Sequence, residues 1–110
     1  MYKRSDEKMK IIYLRKESIL IEEEKKRLFS TKIVEKEIFL DDIIEVTREE
    51  FKGNLNSMTI FLKNNQEEFL INEQSSNLEE LYQFLIKQRE NGRQIKISKI
   101  DIETLETTEV

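Results

Sequence analysis

Apolar positions along the chain fall in short clusters, and most alternate with polar ones. "MKIIYL" (Met9 to Leu14) and "SILIE" (Ser18 to Glu22) are β-rich runs separated by Arg15 to Glu17, a hairpin-sized gap. After the charged knot Glu22 to Arg27, Phe29, Thr31 and Ile33 alternate with Ser30 and Lys32, the period of a half-buried strand. In "EIFLDDIIEVTREEF", Ile38 and Leu40 alternate with Glu37 and Phe39, and Ile44, Val46 and Arg48 continue beyond Asp41 and Asp42. This pattern predicts two strands with a bend or bulge at the aspartates, in preference to the helix that the spacing of Phe39, Ile43 and Val46 would allow. "MTIFLKNNQEEFLIN" reads as a hairpin turning at Asn64 and Asn65, which tolerate positive φ. Counting outward from a two-residue turn sets Ile60 opposite Phe69, Met58 opposite Ile71 and Leu62 opposite Glu67, with the first two pairs facing inward.

One segment, "SSNLEELYQFLIKQRENG", has a different period. Leu78, Leu81, Tyr82, Leu85 and Ile86 make an i, i+3, i+4, i+7, i+8 stripe, and Phe84 lies off it. Ser76 and Glu79 have capping-box spacing, and Asn91 and Gly92 supply a stop, so a helix is predicted over about 76–91. Such a helix has one apolar side and needs a sheet to bury it. Beyond it, Ile95 and Ile97 alternate with Lys96 and Ser98, then Ile100 and Ile102 restart on the opposite parity. An extra, bent strand is expected at 94–102, then a polar tail. The organisation expected is a flexible N-terminus (1–8), one domain (9–92) and a C-terminal extension (93–110).

Composition narrows the chemistry. The chain has 110 residues, 37% hydrophobic and 38% charged, enough clustered apolar side chains for one core and against disorder throughout. Without cysteine there is no disulfide, zinc thiolate or thiol nucleophile, and without histidine there is no Ser-His-Asp or Cys-His catalysis. No phosphate-binding loop or metal-ligand spacing is visible, so no cofactor and no enzyme activity are expected. The net charge of -4, with both signs interleaved, disfavours nucleic acid. "MYKRSDEKMK" lacks the apolar run of a signal peptide, and no segment has the length of a membrane span, so a cytoplasmic protein is expected.

The order of strands followed by one capped amphipathic helix resembles the pleckstrin-homology-like superfold in its small bacterial PH-like and GRAM-like versions. "EIFLDDIIEV" looks like the family's apolar-acidic-Ile-x-x-Val strand pair, "MTIFLKNNQEEFLIN" like its last hairpin and "SSNLEELYQFLIKQ" like its closing helix. The resemblance covers about residues 9 to 90. It implies a mainly β fold: two antiparallel sheets forming an open barrel, capped by the C-terminal helix. Leu81, Tyr82 and Leu85 would then cover the mouth, with Ile60, Phe69 and Ile71 lining the inside. The lipid-binding branch has a basic cluster around its first hairpin, whereas here Arg15 and Lys16 are followed at once by Glu17. The family's Trp near the helix end is missing too, so lipid specificity does not carry over.

Four groups are candidates for binding. Lys25, Lys26 and Arg27 form a basic turn that could grip an anionic headgroup, or simply a solvated tip balanced by Glu22 to Glu24. Asp41 and Asp42 are the best carboxylate pair, but neighbours in a strand point to opposite faces, which favours a structural bend. Phe39, Phe51 and Phe84 are the aromatics least easily placed inside, and any two sharing a patch would mark a partner site. Ile100 and Ile102 could add a strand to an edge, the domain's own or that of a partner or second copy. These features lead to a non-enzymatic protein-interaction module, such as a small bacterial immunity or inhibitor protein masking a partner. An anionic membrane surface is the alternative ligand.

Overall fold

The computed structural model describes residues 9–26, 28–75 and 77–110, without the side chain of Lys26. The chain is mainly β, in two sheets. β1 (Met9–Leu14), β2 (Ser18–Lys26) and β3 (Thr31–Phe39) form an antiparallel meander. β4 (Ile43–Phe51), β5 (Asn54–Leu62) and β6 (Glu67–Ile71) begin a second sheet, α1 (Leu78–Glu90) follows, and β7 (Lys96–Asp101) and β8 (Thr107–Glu109) complete it in the order β6-β5-β4-β7-β8. The bend expected at the aspartates is a 3-10 turn, Leu40–Asp42, that passes the chain from one sheet to the other. The Leu40 amide donates to the Glu17 carbonyl and the Lys63 amide to the Asp42 carbonyl, so both sheets hold this turn.

Both sheets and the helix contribute to one core. Ile12, Ile19, Ile21 and Ile38 enter it from the first sheet, Val46, Met58, Ile60, Leu70 and Ile97 from the second, and Leu78, Leu81, Tyr82 and Leu85 from α1. Where the apolar core ends, an ionic network begins. Lys10 Nζ lies 3.4 Å from Glu68 and 4.0 Å from Glu23, and Lys36 Nζ lies 2.9 Å from Glu68.

Several expectations need correction. The second sheet is mixed where an antiparallel one was expected: α1 is the crossover between β6 and β7, which therefore run the same way, and β7 pairs with β4 in parallel. The segment from Thr104 is more than a tail, because Thr107–Glu109 turns back onto β7. The β2–β3 hairpin is longer than its sequence suggested, since Glu22 to Lys26 continue β2 and Phe29 sits beyond the strands, 93% exposed. A register shift between Ile43 and Glu45 turns Ile43 and Val46 inward and leaves Ile44 outside.

The β5–β6 hairpin is one residue out of its expected register. Its loop holds three residues, Lys63 to Asn65, with the Leu62 amide donating to the Gln66 carbonyl and Asn65 at φ 62°. Thr59 therefore opposes Phe69 and Ser57 opposes Ile71. A shift of one exchanges the faces, so Leu70 lines the core while Phe69 is 47% exposed and Ile71 half-buried. At its N-terminus α1 is preceded by Asn77 as the capping residue, with no side-chain cap bond. Ser76 of the expected capping box lies outside the described residues, and Glu79 is engaged by Arg48 instead.

Candidate functional site

The outer face of the β1–β3 sheet follows from its register. Across the three strands, Met9, Glu24 and Ile33 form one row, Ile11, Glu22 and Glu35 the next, and Tyr13, Leu20 and Glu37 a third, with Phe39 beyond. Residues directly opposite one another share a face, and this face is opposite the one carrying Ile12, Ile19 and Ile38. Met9, Ile11, Tyr13, Ile33 and Phe39 are each exposed. β1 is thus apolar on both sides, a pattern ordinarily found in strands covered on both faces. Here the outer side is bare, and four glutamates of β2 and β3 stand along one flank of it. Arg15 Nη1 approaches Glu37 to 3.4 Å and the Ser18 hydroxyl donates to the same carboxylate at 2.7 Å.

Two grooves flank the 3-10 turn. One, of about 200 Å³, is lined by Lys36, Phe39, Asp42 and Lys63; the other, of about 500 Å³, by Asp41, Ile44, Lys63 and Arg93. Asp41 and Asp42 thus serve different grooves and do not converge. Arg93 donates to Asp41, to Glu17 and, through Nε, to the Gln88 side chain at 3.0 Å. It fastens the helix end to the β1–β2 turn. Among the described residues, no three acidic side chains form a metal-holding group. Among the same residues, no helix is long and apolar enough to cross a membrane.

The most elaborate polar cluster is architectural. Arg48 on β4, with its side chain 11% exposed, donates Nε to Glu50 at 2.7 Å and Nη1 to Glu79 on α1 at 2.9 Å, and its guanidinium lies 4.7 Å from the Tyr82 ring centroid. Burial works to lower the Arg48 pKa, but the hydrogen bonds it donates to Glu79 and Glu50, with the charge of both carboxylates, outweigh it and leave the pKa raised. Burial pushes the Tyr82 phenol up, against the opposing charge of Arg48. At the start of α1, Asn77 Nδ2 donates to the Ile12 carbonyl at 2.7 Å. The helix is thereby tied to both sheets.

No family model, curated protein or solved structure matches this chain. Its site must therefore be judged on its own geometry.

The aromatic candidates are not brought together. Phe39 and Phe51 lie at opposite ends of the path through β4, and Phe84 is half-buried against the core. Phe39 instead joins the outer face of the first sheet. Phe51 has a different neighbour: the Ile102 amide donates to the Glu50 carbonyl, placing two exposed apolar residues at one end of the second sheet. Ile100 pairs with Glu49 and Thr107 inside that sheet, so the segment docks on its own domain. Lys25 continues β2, 3.9 Å from Glu23, while Arg27 and the Lys26 side chain lie outside the described residues. Met9, Ile11, Tyr13, Leu20, Glu22, Glu24, Glu35 and Glu37 were not singled out from the sequence. The available signal was the run Ile11 to Leu14, apolar on both parities of one strand, followed by Ile19–Leu20–Ile21 in the next.

Proposed function

We propose that the protein is a non-enzymatic recognition module of PH-like type. It docks a protein partner on the outer face of β1–β3, in the manner of a small immunity or inhibitor protein masking its target. The observation that carries this reading is the bare sheet face on which Met9, Ile11, Tyr13 and Phe39 stand beside Glu22, Glu24, Glu35 and Glu37. A row of exposed apolar side chains flanked by charge is a surface suited to a partner of matching make-up. Four carboxylates on the face favour a basic partner and speed its approach. They disfavour a second copy of the chain, since self-pairing would set acid against acid. The PH-like assignment is supported by the order of elements: a three-stranded meander, a second three-stranded unit, then a helix closing the core.

The test is affinity capture from an extract of the source organism on two columns, one bearing the full chain and one its Ile11→Ser/Tyr13→Ser variant. Both substituted positions are exposed, so circular dichroism should be unchanged. A basic protein held by the first column, released by salt and missing from the second is the expected result. Identical sets of retained proteins on both columns would refute the assignment.

A further inference from the structure

The tip of the β2–β3 hairpin carries a second surface, independent of the sheet face. Every residue from Leu28 to Ile33 is exposed, and the two at the turn are bulky and apolar: Leu28 at 87% and Phe29 at 93% exposed. Turns ordinarily use Gly, Asn, Asp or Ser, whose small or hydrogen-bonding side chains suit the backbone and the water around it. Leu and Phe offer neither advantage, and the core does not receive them. Behind them, Lys25 on β2 stands directly opposite Lys32 on β3. Like charges in that position repel, and the Glu23 carboxylate, 3.9 Å from the Lys25 ammonium, offsets only part of that repulsion. The run from Lys25 to Lys32, "KKRLFSTK", holds four cations and no acid in a chain whose net charge is -4.

We propose that this tip is a membrane-docking finger for anionic bilayers, with Leu28 and Phe29 entering the headgroup–acyl boundary while Lys25 and Lys32 meet lipid phosphates and carboxylates. Two apolar side chains flanked by cations match the layering of such a surface, apolar beneath and negative above. A hydrophobic pocket on a protein would use the apolar pair and make no use of the lysines behind it. The acidic body adds orientation: an anionic membrane repels the glutamate-bearing sheet and attracts only the tip. Binding through one short finger is weak, reversible and sensitive to salt.

The chain has no tryptophan, so Phe29→Trp installs a lone reporter at the tip. Its emission is measured with vesicles of phosphatidylcholine alone and with about 30 mol% phosphatidylserine, at low salt and at about 0.5 M NaCl. A blue shift confined to anionic vesicles at low salt is expected. In co-sedimentation with the same vesicles, Leu28→Ser/Phe29→Ser and Lys25→Gln/Lys32→Gln should each lower partitioning by about tenfold or more. Leu28, Phe29 and Lys32 are exposed and Lys25 half-buried, and unchanged thermal melts verify the fold. Emission unaltered by anionic vesicles, or a serine double variant that sediments like the parent chain, would overturn the proposal.

Discussion

Arg48 is the residue on which the helix attachment most depends. It is largely buried on the core-facing side of β4, yet it reaches the exposed carboxylate of Glu79 while its plane lies over Tyr82. A charge-assisted bond is worth more than a neutral one, and the carboxylate left behind would be only partly rehydrated. Arg48→Met is expected to cost about 2 kcal/mol in urea denaturation. Glu79→Gln should cost about 0.5 kcal/mol, because that carboxylate is more than half exposed and water replaces much of the pair. Tyr82 supplies a pH dependence. Its folded pKa lies above its unfolded one, so the folded state holds the phenol proton more tightly. That contribution is complete below about pH 10 and is lost as pH rises through the folded pKa. Thermal melts at about pH 9 and about pH 11 should show a larger loss in the parent chain than in Tyr82→Phe, which keeps the ring but cannot ionise.

Single elements differ in how much of them could be read from the residues. The helix stripe was legible because a helix has one buried side: Leu78, Leu81, Tyr82 and Leu85 share it, and each is buried. The register of the β5–β6 hairpin was not, since "FLI" is apolar on both parities and Asn64–Asn65 suits a two-residue loop as well as a three-residue one. Only packing against the core selects Leu70 over its neighbours. The partner of the last long strand was equally hidden. Ile95 and Ile97 announce a strand, but nothing local says that β4, whose Glu45 stands opposite Lys96 from far earlier in the chain, is the strand it joins in parallel. Removing residues 93–110 strips the β4 edge, buried Ile95 and Ile97, and the Arg93 tether together. The truncated chain should lose its cooperative thermal transition; a melt like that of the full chain would mean that β7 contributes little. At the β4–β5 turn, Lys52 and Gly53 both have positive φ, and a Cβ at Gly53 would meet nothing within 4 Å. Gly53→Ala should therefore destabilise by about 1 kcal/mol through the backbone alone, as read by urea midpoint.

At the scale of the molecule, burial is one-sided. α1 and the second sheet cover the inner face of the β1–β3 meander, and its outer face keeps apolar side chains in water beside an acidic ladder. Leu85 is fully buried beneath that arrangement, so Leu85→Asp places a charge in the shared core and should leave the chain unfolded by circular dichroism. Charge and apolarity are sorted in space in a way that net composition conceals: acids across the first sheet, cations around the hairpin tip. The most direct measurement is a calorimetric titration of the protein captured on the parent chain, against that chain and against Ile11→Ser/Tyr13→Ser. Recognition through the β1–β3 face predicts saturable binding by the parent and a loss of about tenfold or more in the variant, of the size expected for truncating two apolar anchors of an interface. Equal affinities for the two folded proteins would contradict it.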